Sequence, residues 1–144
     1  MSLNRNSIQI KLLKSLLNSR KTIASRTIFD VSNLSDFEKK VRRSKRPVLV
    51  NFYASWCTPC KALMPRLKCI INEQRGNMEM ARIDIDELTD LALSYNVGTV
   101  PSILIMHKGQ ELNRLEGLQP SEQIRNWLAT VIKESAPDCI FVKK

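Results

Sequence analysis

The stretch Trp56-Cys57-Thr58-Pro59-Cys60 follows a run of strand formers, Val48-Leu49-Val50-Asn51-Phe52-Tyr53, and precedes a helical pattern. Two cysteines three positions apart at a strand-to-helix junction can close and reopen a small disulfide ring. The first thiol then stands at a helix N-terminus, where unpaired backbone N–H groups and the helix dipole favour the thiolate. Pro59 suits the first turn, because the N–H it lacks has no intrahelical partner there. The chemistry this supports is thiol–disulfide exchange: a thiolate attacks a disulfide, and the neighbouring thiol resolves the mixed intermediate. Half a zinc site is a competing reading, but it needs further ligands at matching spacing. Cys69 and Cys139 lie far apart and His107 is the only histidine, so no metal is expected. A purely structural disulfide is disfavoured too, since so short a loop gains little stability when closed.

Working outward, Leu63, Met64, Leu67, Ile70 and Ile71 continue a helical stripe from Cys60. Pro65 falls inside it and is expected to kink the helix rather than end it, because the periodicity resumes. Cys69 is read as a core or boundary thiol, and Gly76-Asn77 as a turn. Upstream, Thr27 to Val31 is a candidate first strand. Ser35-x-x-Glu38 has the form of a capping box, and Phe37 with Val41 gives the following helix an apolar face that ends near Arg43. Val48 to Tyr53 is apolar almost throughout, as in a central strand buried on both faces, with Asn51 its one polar residue. Downstream, Met80 to Asp86 alternates as a strand, and Leu88, Leu91, Ala92 and Tyr95 share one helical face. Gly98-Thr99-Val100-Pro101 is a tight loop feeding a strand over Ser102 to Met106. His107-Lys108-Gly109-Gln110 reads as a hairpin turn, which leaves His107 exposed at its edge and without a catalytic role. Ile124, Trp127, Leu128, Val131 and Ile132 mark the last helix, begun by Pro120. Residues 135–144 are expected to form a short C-terminal tail with Cys139 uncommitted. Strands alternating with helices and closing on an antiparallel hairpin imply an α/β fold, a mixed central β-sheet flanked by helices on both faces.

The chain has 144 residues, 43% of them hydrophobic, enough for one domain with a proper core and a modest extension. Its net charge of +9 invites a nucleic-acid reading until the charge is located. Arg5, Lys11, Lys14, Arg20, Lys21 and Arg26 fall within the first 29 residues, which hold no acid, so most of the imbalance belongs to a leader. In residues 1–26, Ile8, Ile10, Leu12, Leu13, Leu16 and Leu17 occupy one helical arc interrupted only by Gln9. Ser7, Lys11, Lys14, Ser15 and Asn18 fill the opposite arc. That is the composition of a mitochondrial transit peptide, and Lys11 and Lys14 break the apolar core a secretory signal needs. An amphipathic membrane-surface tail is the plainer alternative. The basic run Lys39 to Arg46 is read as a solvated helix face and loop. It lacks interleaved aromatics or a recognition motif, so nucleic-acid binding is not expected. No apolar run approaches the ~20 residues a membrane span requires.

VNFYASWCTPCKALMPRL, ARIDIDELTDLALSYNVGTVPSILIMHKG and LEGLQPSEQIRNWL, in that order and without large gaps, resemble the thioredoxin family and its mitochondrial branch most of all. The similarity covers residues 27–134, the expected domain between leader and tail. The resemblance implies the thioredoxin fold and a protein-disulfide reductase in the mitochondrial matrix. Cys57 is then the nucleophile, first in the pair and the more accessible, and Cys60 the resolving thiol. Trp56 flanks the site, and Thr99-Val100-Pro101 lies opposite as a loop whose proline is cis, offering backbone to an extended substrate. Gly117 completes that face. No cofactor is implied beyond the cysteine pair, which is recharged by a flavin-containing thioredoxin reductase. The partners are protein disulfides and the chain is expected to be a monomer.

Four positions depart from the family pattern. Thr58, beside Pro59 between the cysteines, replaces the usual glycine, and Asn51 replaces a buried aspartate beneath the second cysteine. Arg82 stands for a lysine near that carboxylate, and Glu116 for a small apolar residue on the substrate face. These modulate rate and specificity while leaving both sulfurs intact. Two alternatives remain open: a thioredoxin-like binding or regulatory module, and an oxidase or isomerase on the same fold.

Overall fold

The computed structural model describes residues 7, 9–14 and 27–143. In the leader, residues 7 and 9–14 are helical, and Ile10, Leu12 and Leu13 are exposed. The rest of the leader reading, including any processing site before Thr27, lies outside the described residues.

Ten segments build the body: β1 (Ile28–Asp30), α1 (Leu34–Phe37) running into a π-helical turn (Glu38–Arg42), β2 (Val48–Tyr53), α2 (Thr58–Glu73), β3 (Glu79–Asp84), α3 (Thr89–Ser94), β4 (Ser102–His107), β5 (Gln110–Glu116) and α4 (Ser121–Ser135). The sheet order is β1-β3-β2-β4-β5. β1, β3 and β2 run parallel, while β4 and β5 are antiparallel to their neighbours. β2 is therefore the central strand, as its apolar run predicts. Side-chain alternation sorts the core into two layers. Leu49, Met80, Ile103 and Ile105 pack under α2 and α4 against Leu63, Leu67, Ile70, Ile124, Leu128 and Ile132. Val48, Val50, Phe52, Ala81, Ile83, Leu104 and Met106 face Phe37 and Val41 on one side and Leu91 and Ala92 of α3 on the other. Each of the Val, Leu, Ile, Met and Phe side chains among them, fully withdrawn from water, contributes about 1.5–3 kcal/mol of transfer free energy. The mixed sheet with helices on both faces is as expected.

The same alternation decides the site. Asn51 shares the parity of Leu49, and Arg82 that of Met80, so both point toward α2. The parallel register sets them side by side, Asn51 opposite Arg82. Pro65 lies within α2, which continues eight residues beyond it to Glu73.

Three local expectations are corrected. The cap of α1 is Asn33, whose side-chain oxygen accepts from the Asp36 N–H at 2.9 Å, while Asp36 reaches back to the Ser32 N–H at 3.1 Å. Ser35 has the right spacing to Glu38 but sits inside the first turn, because the chain enters helix two residues earlier. Cys69 is exposed, with Sγ 3.6 Å from Glu73 Oε1, since the buried stripe of α2 passes through Leu67, Ile70 and Ile71 on the opposite side. His107 is buried at 8% exposure rather than exposed. The positive-φ turn falls on Lys108 and Gly109, so His107 remains in β4.

What covers His107 is the segment after α4. Cys139 Sγ lies 3.6 Å from His107 Nε2, and burial pushes the Cys139 thiol upward from its ordinary pKa. Ala136, Cys139 and Phe141 join the α2/α4 core layer. Gln74, fully buried, donates to the Val142 carbonyl at 3.0 Å and accepts from the Val142 N–H at 2.9 Å. The segment is fastened at its backbone and not left as a loose end.

Asp36 gives a pH prediction. Its hydrogen-bonded partner Lys40, and next the Ser32 N–H, hold its carboxyl below the usual carboxylate range. A lowered folded pKa adds stability that is complete above the unfolded value and is lost as pH falls through the folded one. Asp36→Asn is therefore expected to lower stability slightly at neutral pH and leave it unchanged at strongly acidic pH. Urea midpoints measured across that range check this, and a constant gap would remove the carboxylate from the account.

Candidate active site

Cys57 is the N-cap of α2 in extended conformation, and its sulfur accepts from the Cys60 N–H at 3.2 Å. The two cysteines form a disulfide with their Cα atoms 5.3 Å apart. The helix starts here because Pro59 has no N–H to leave without an acceptor in the first turn, and because the stripe from Cys60 to Ile71 buries against the sheet. A sulfur capping a helix N-terminus is held where negative charge is favoured, so opening the disulfide leaves a thiolate best stabilised on Cys57.

Exposure does not separate the thiols in this oxidised form: Cys57 is 4% and Cys60 5% exposed. What separates them is direction. Cys57 Sγ lies 3.7 Å from the Val100 carbonyl oxygen, on the side of the loop that precedes β4. Cys60 lines a half-open cavity of about 250 Å³ with Asn51, Tyr53, Met64 and Arg82.

The Val100–Pro101 peptide is cis, as the resemblance implies. Pro101 is buried and its carbonyl accepts from the Gly117 N–H at 2.8 Å, which ties the loop to the end of β5. Gly117 adopts φ +81°, a conformation that favours glycine. Thr99 is exposed beside Val100, and Glu116 is exposed at the end of β5. Trp56 stands 66% exposed, its indole N–H donating to Asp86 Oδ2 at 2.8 Å. Thr58 and Pro59 are exposed on the first turn of α2. Trp56, Cys57, Val100, Pro101 and Gly117 thus gather on one end of the sheet, while Asn51 and Arg82 stand behind Cys60.

Asn51 is 2% exposed; among the described residues its Nδ2 has only the Met64 sulfur at 3.8 Å, and no donor meets its Oδ1. Arg82 stacks over the Tyr53 ring at 5.1 Å. Its Nε lies at ion-pair distance from Asp30, 3.4 Å, without hydrogen-bond alignment. Sequence reasoning missed Asp86, which orients Trp56, and Met64 and Tyr53, which wall the cavity. Asp86 is thirty residues from Trp56, and only the parallel crossover brings them together. Parity along β2 held the signal for Tyr53, two positions beyond Asn51.

Residues 29–130 match the family model described as Thioredoxin. Among curated proteins, the chain is 41% identical to a mitochondrial thioredoxin of Bos taurus over 106 residues, covering 74% of this chain and 64% of that protein. It is 34% identical to a thioredoxin of Rickettsia felis, covering 65% of this chain and 90% of that one. Its aligned part therefore spans less than two thirds of the mitochondrial relative. Among solved structures, a mutant thioredoxin from Halobacterium salinarum superposes with a TM-score of 0.66 at 26% identity, covering 74% and 91% of the two chains.

Proposed function

The chain belongs to the thioredoxin family, and from that premise we propose that it is a dithiol reductase of protein disulfides, with Cys57 as nucleophile and Cys60 as resolving thiol. The observation that carries the assignment is the Cys57 sulfur at the α2 N-cap, facing the cis-proline loop. In the reduced protein the Cys57 thiolate attacks one sulfur of the substrate disulfide, and the other leaves as a thiolate that takes a proton. Cys60 then loses its proton and attacks Cys57 Sγ. The Cys57–substrate bond breaks, the second substrate thiol departs, and the intramolecular disulfide seen in this structure remains. The substrate has gained two electrons and the protein has lost them. Trp56, Thr99, Val100, Pro101 and Gly117 form the docking face, with Thr58 and Pro59 at its rim. Asn51 and Arg82 modulate the resolving step.

Electrons return through an external flavin-containing thioredoxin reductase; the protein itself works as a monomer without a resident cofactor. No helix among the described residues is long and apolar enough to cross a membrane. The basic, acid-free leader and the mitochondrial relatives support delivery to the mitochondrial matrix. Insulin reduction driven by dithiothreitol tests the activity with the chain from residue 27 onward. Turnover supports the reductase, and a well-folded protein without turnover would favour a binding module.

The leader supplies a further expectation. Every motif of the body begins at or after Thr27, and Ile10, Leu12 and Leu13 of the leader are exposed. Removal of residues 1–26 is expected to leave the thermal midpoint and insulin turnover unchanged. A substantial fall in either would show that the leader packs on the domain.

A further inference from the structure

We propose that the end of the sheet opposite the disulfide is a docking surface for anionic phospholipid membranes, and that it holds the Cys57–Cys60 pair turned away from the bilayer. The strand register places the charges. Val48, the first residue of β2, pairs with Glu79 at the start of β3 and with Met106 near the end of β4, and His107 pairs with Gln110 across the turn into β5. The connections 43–47 and 74–78 and the turn at 108–109 therefore leave the same end of the sheet. A Cβ at Gly109 would meet the Arg42 carbonyl oxygen at 3.4 Å, so the turn lies against the first connection. The segment after α4 joins them, with Cys139 on His107 and Val142 on Gln74.

These four segments hold Arg43, Lys45, Arg46, Arg75, Lys108 and Lys143 against one acid, Asp138. All six cations are exposed. Arg46 approaches Glu79 at 4.0 Å, and the other five have no ion pair or side-chain hydrogen bond among the described residues. At the disulfide end the connections 54–57, 85–88, 95–101 and 117–120 hold Asp86 and Glu87 and no lysine or arginine. Asp84 and Glu116 stand on the strand ends beside them. An anionic surface attracts the first end and repels the second, which fixes orientation as well as contact. β2 has six residues, so the two ends lie roughly 20 Å apart. That exceeds the Debye length of about 8 Å at physiological salt, and the acidic end does not cancel the basic one.

An apolar contact selects a bilayer among polyanions. Ile140 is 69% exposed, although Cys139 and Phe141 on either side of it pack into the α2/α4 core layer. The fastened segment thus holds an isoleucine outward, three residues from Lys143, with Pro137 exposed as well. The boundary between headgroups and acyl chains takes such a side chain, and a nucleic-acid backbone offers it nothing. Single-stranded nucleic acid calls for exposed aromatics to stack on, and Phe141, the aromatic of this segment, packs inward. Cations and one apolar contact together give reversible binding.

β1 begins at this end too, since Ile28 pairs with Met80, so the basic leader joins the chain here and the test must separate its effect. The full chain carrying Ile140→Trp is mixed with vesicles of two parts phosphatidylcholine to one part phosphatidylglycerol, whose brominated acyl chains quench an indole that reaches them. The added indole is expected to be quenched, while the Trp56 and Trp127 emission of the wild-type chain is not. In sedimentation with the same vesicles, Arg43→Gln, Arg75→Gln and Lys108→Gln should each weaken binding roughly fivefold. Ile140→Ser should weaken it without altering its salt dependence, and pure phosphatidylcholine vesicles should leave the chain in solution. Thermal midpoints check that the variants keep the fold. None of these readouts uses turnover, so the reductase reading stands or falls separately. Binding that ignores the three cation substitutions and leaves the added indole unquenched would belong to the leader alone and overturn the proposal. Quenching of Trp56 in its place would reverse the orientation and overturn it equally. Tighter binding to duplex DNA than to the vesicles at the same salt, indifferent to Ile140→Ser, would make this end a nucleic-acid site instead.

Discussion

Replacing Cys57 with serine is expected to abolish insulin turnover, by at least roughly 10³-fold as when an activated nucleophile is removed, whereas Cys60→Ser should leave the protein covalently joined to its substrate. The asymmetry follows from the two sulfurs' positions. Cys57 caps α2 and faces the Val100 carbonyl, where an extended substrate segment would lie; Cys60 lines the half-open cavity with Asn51. With Cys60 absent, the mixed disulfide at Cys57 has no intramolecular thiol to release it. Cys69 and Cys139 do not rescue it, since Cys69 is on the exposed side of α2 and Cys139 is against His107 at the end of β4. Intact-mass spectrometry after exposure to a disulfide substrate reads the outcome directly. Adducts accumulating on Cys60 of the Cys57→Ser protein would reverse the assignment.

The second large effect concerns stability and the segment after α4. Ending the chain at Ser135 is expected to cost about 2–4 kcal/mol, from the apolar burial of Ala136, Cys139 and Phe141 and the loss of the paired bonds between Gln74 and Val142. That is a large share of the 5–15 kcal/mol typical of a domain. Gln74→Ala in the full chain should reproduce part of it, because the Val142 N–H and C=O then lose their partners. Chemical denaturation of the three proteins in their oxidised forms measures this. A truncated chain within about 0.5 kcal/mol of the full one, the range of ordinary surface changes, would show that the segment merely rests on the surface.

How much of this was legible in the sequence depended on the range of the interaction. The apolar run of β2, the stripes of α2 and α4, and the helix start at Cys57 are local patterns, and each element appeared where its period placed it. Side-chain parity along β2 and β3 also fixes Asn51 and Arg82 on the α2 side, although their pairing needs the register between two strands. Beyond Cys69, which lies outside the buried stripe of α2, the differences have two sources. Ser35 and His107 were misjudged by shifts of one or two residues, where a cap or turn residue competes with its neighbour. Cys139, Gln74 and Asp86 could not be placed at all, because their partners lie 30 to 68 residues away and carry no motif. The proposed docking face, Trp56 with Val100, Pro101 and Gly117, was legible only through family resemblance, since nothing in local spacing joins residue 56 to residue 117.

The central claim is that the Cys57–Cys60 pair gives electrons to protein disulfides rather than taking them from thiols. Equilibrating the pair with defined ratios of reduced and oxidised glutathione, then quenching in acid and counting free thiols by mass, measures that directly. A reductase keeps its own disulfide even in strongly reducing glutathione, because its dithiol is the better donor. Retention of the Cys57–Cys60 disulfide at high reduced-to-oxidised ratios is the result the account predicts. Full reduction of the pair by a mildly reducing glutathione buffer would mark an oxidase or isomerase on the same fold and contradict it.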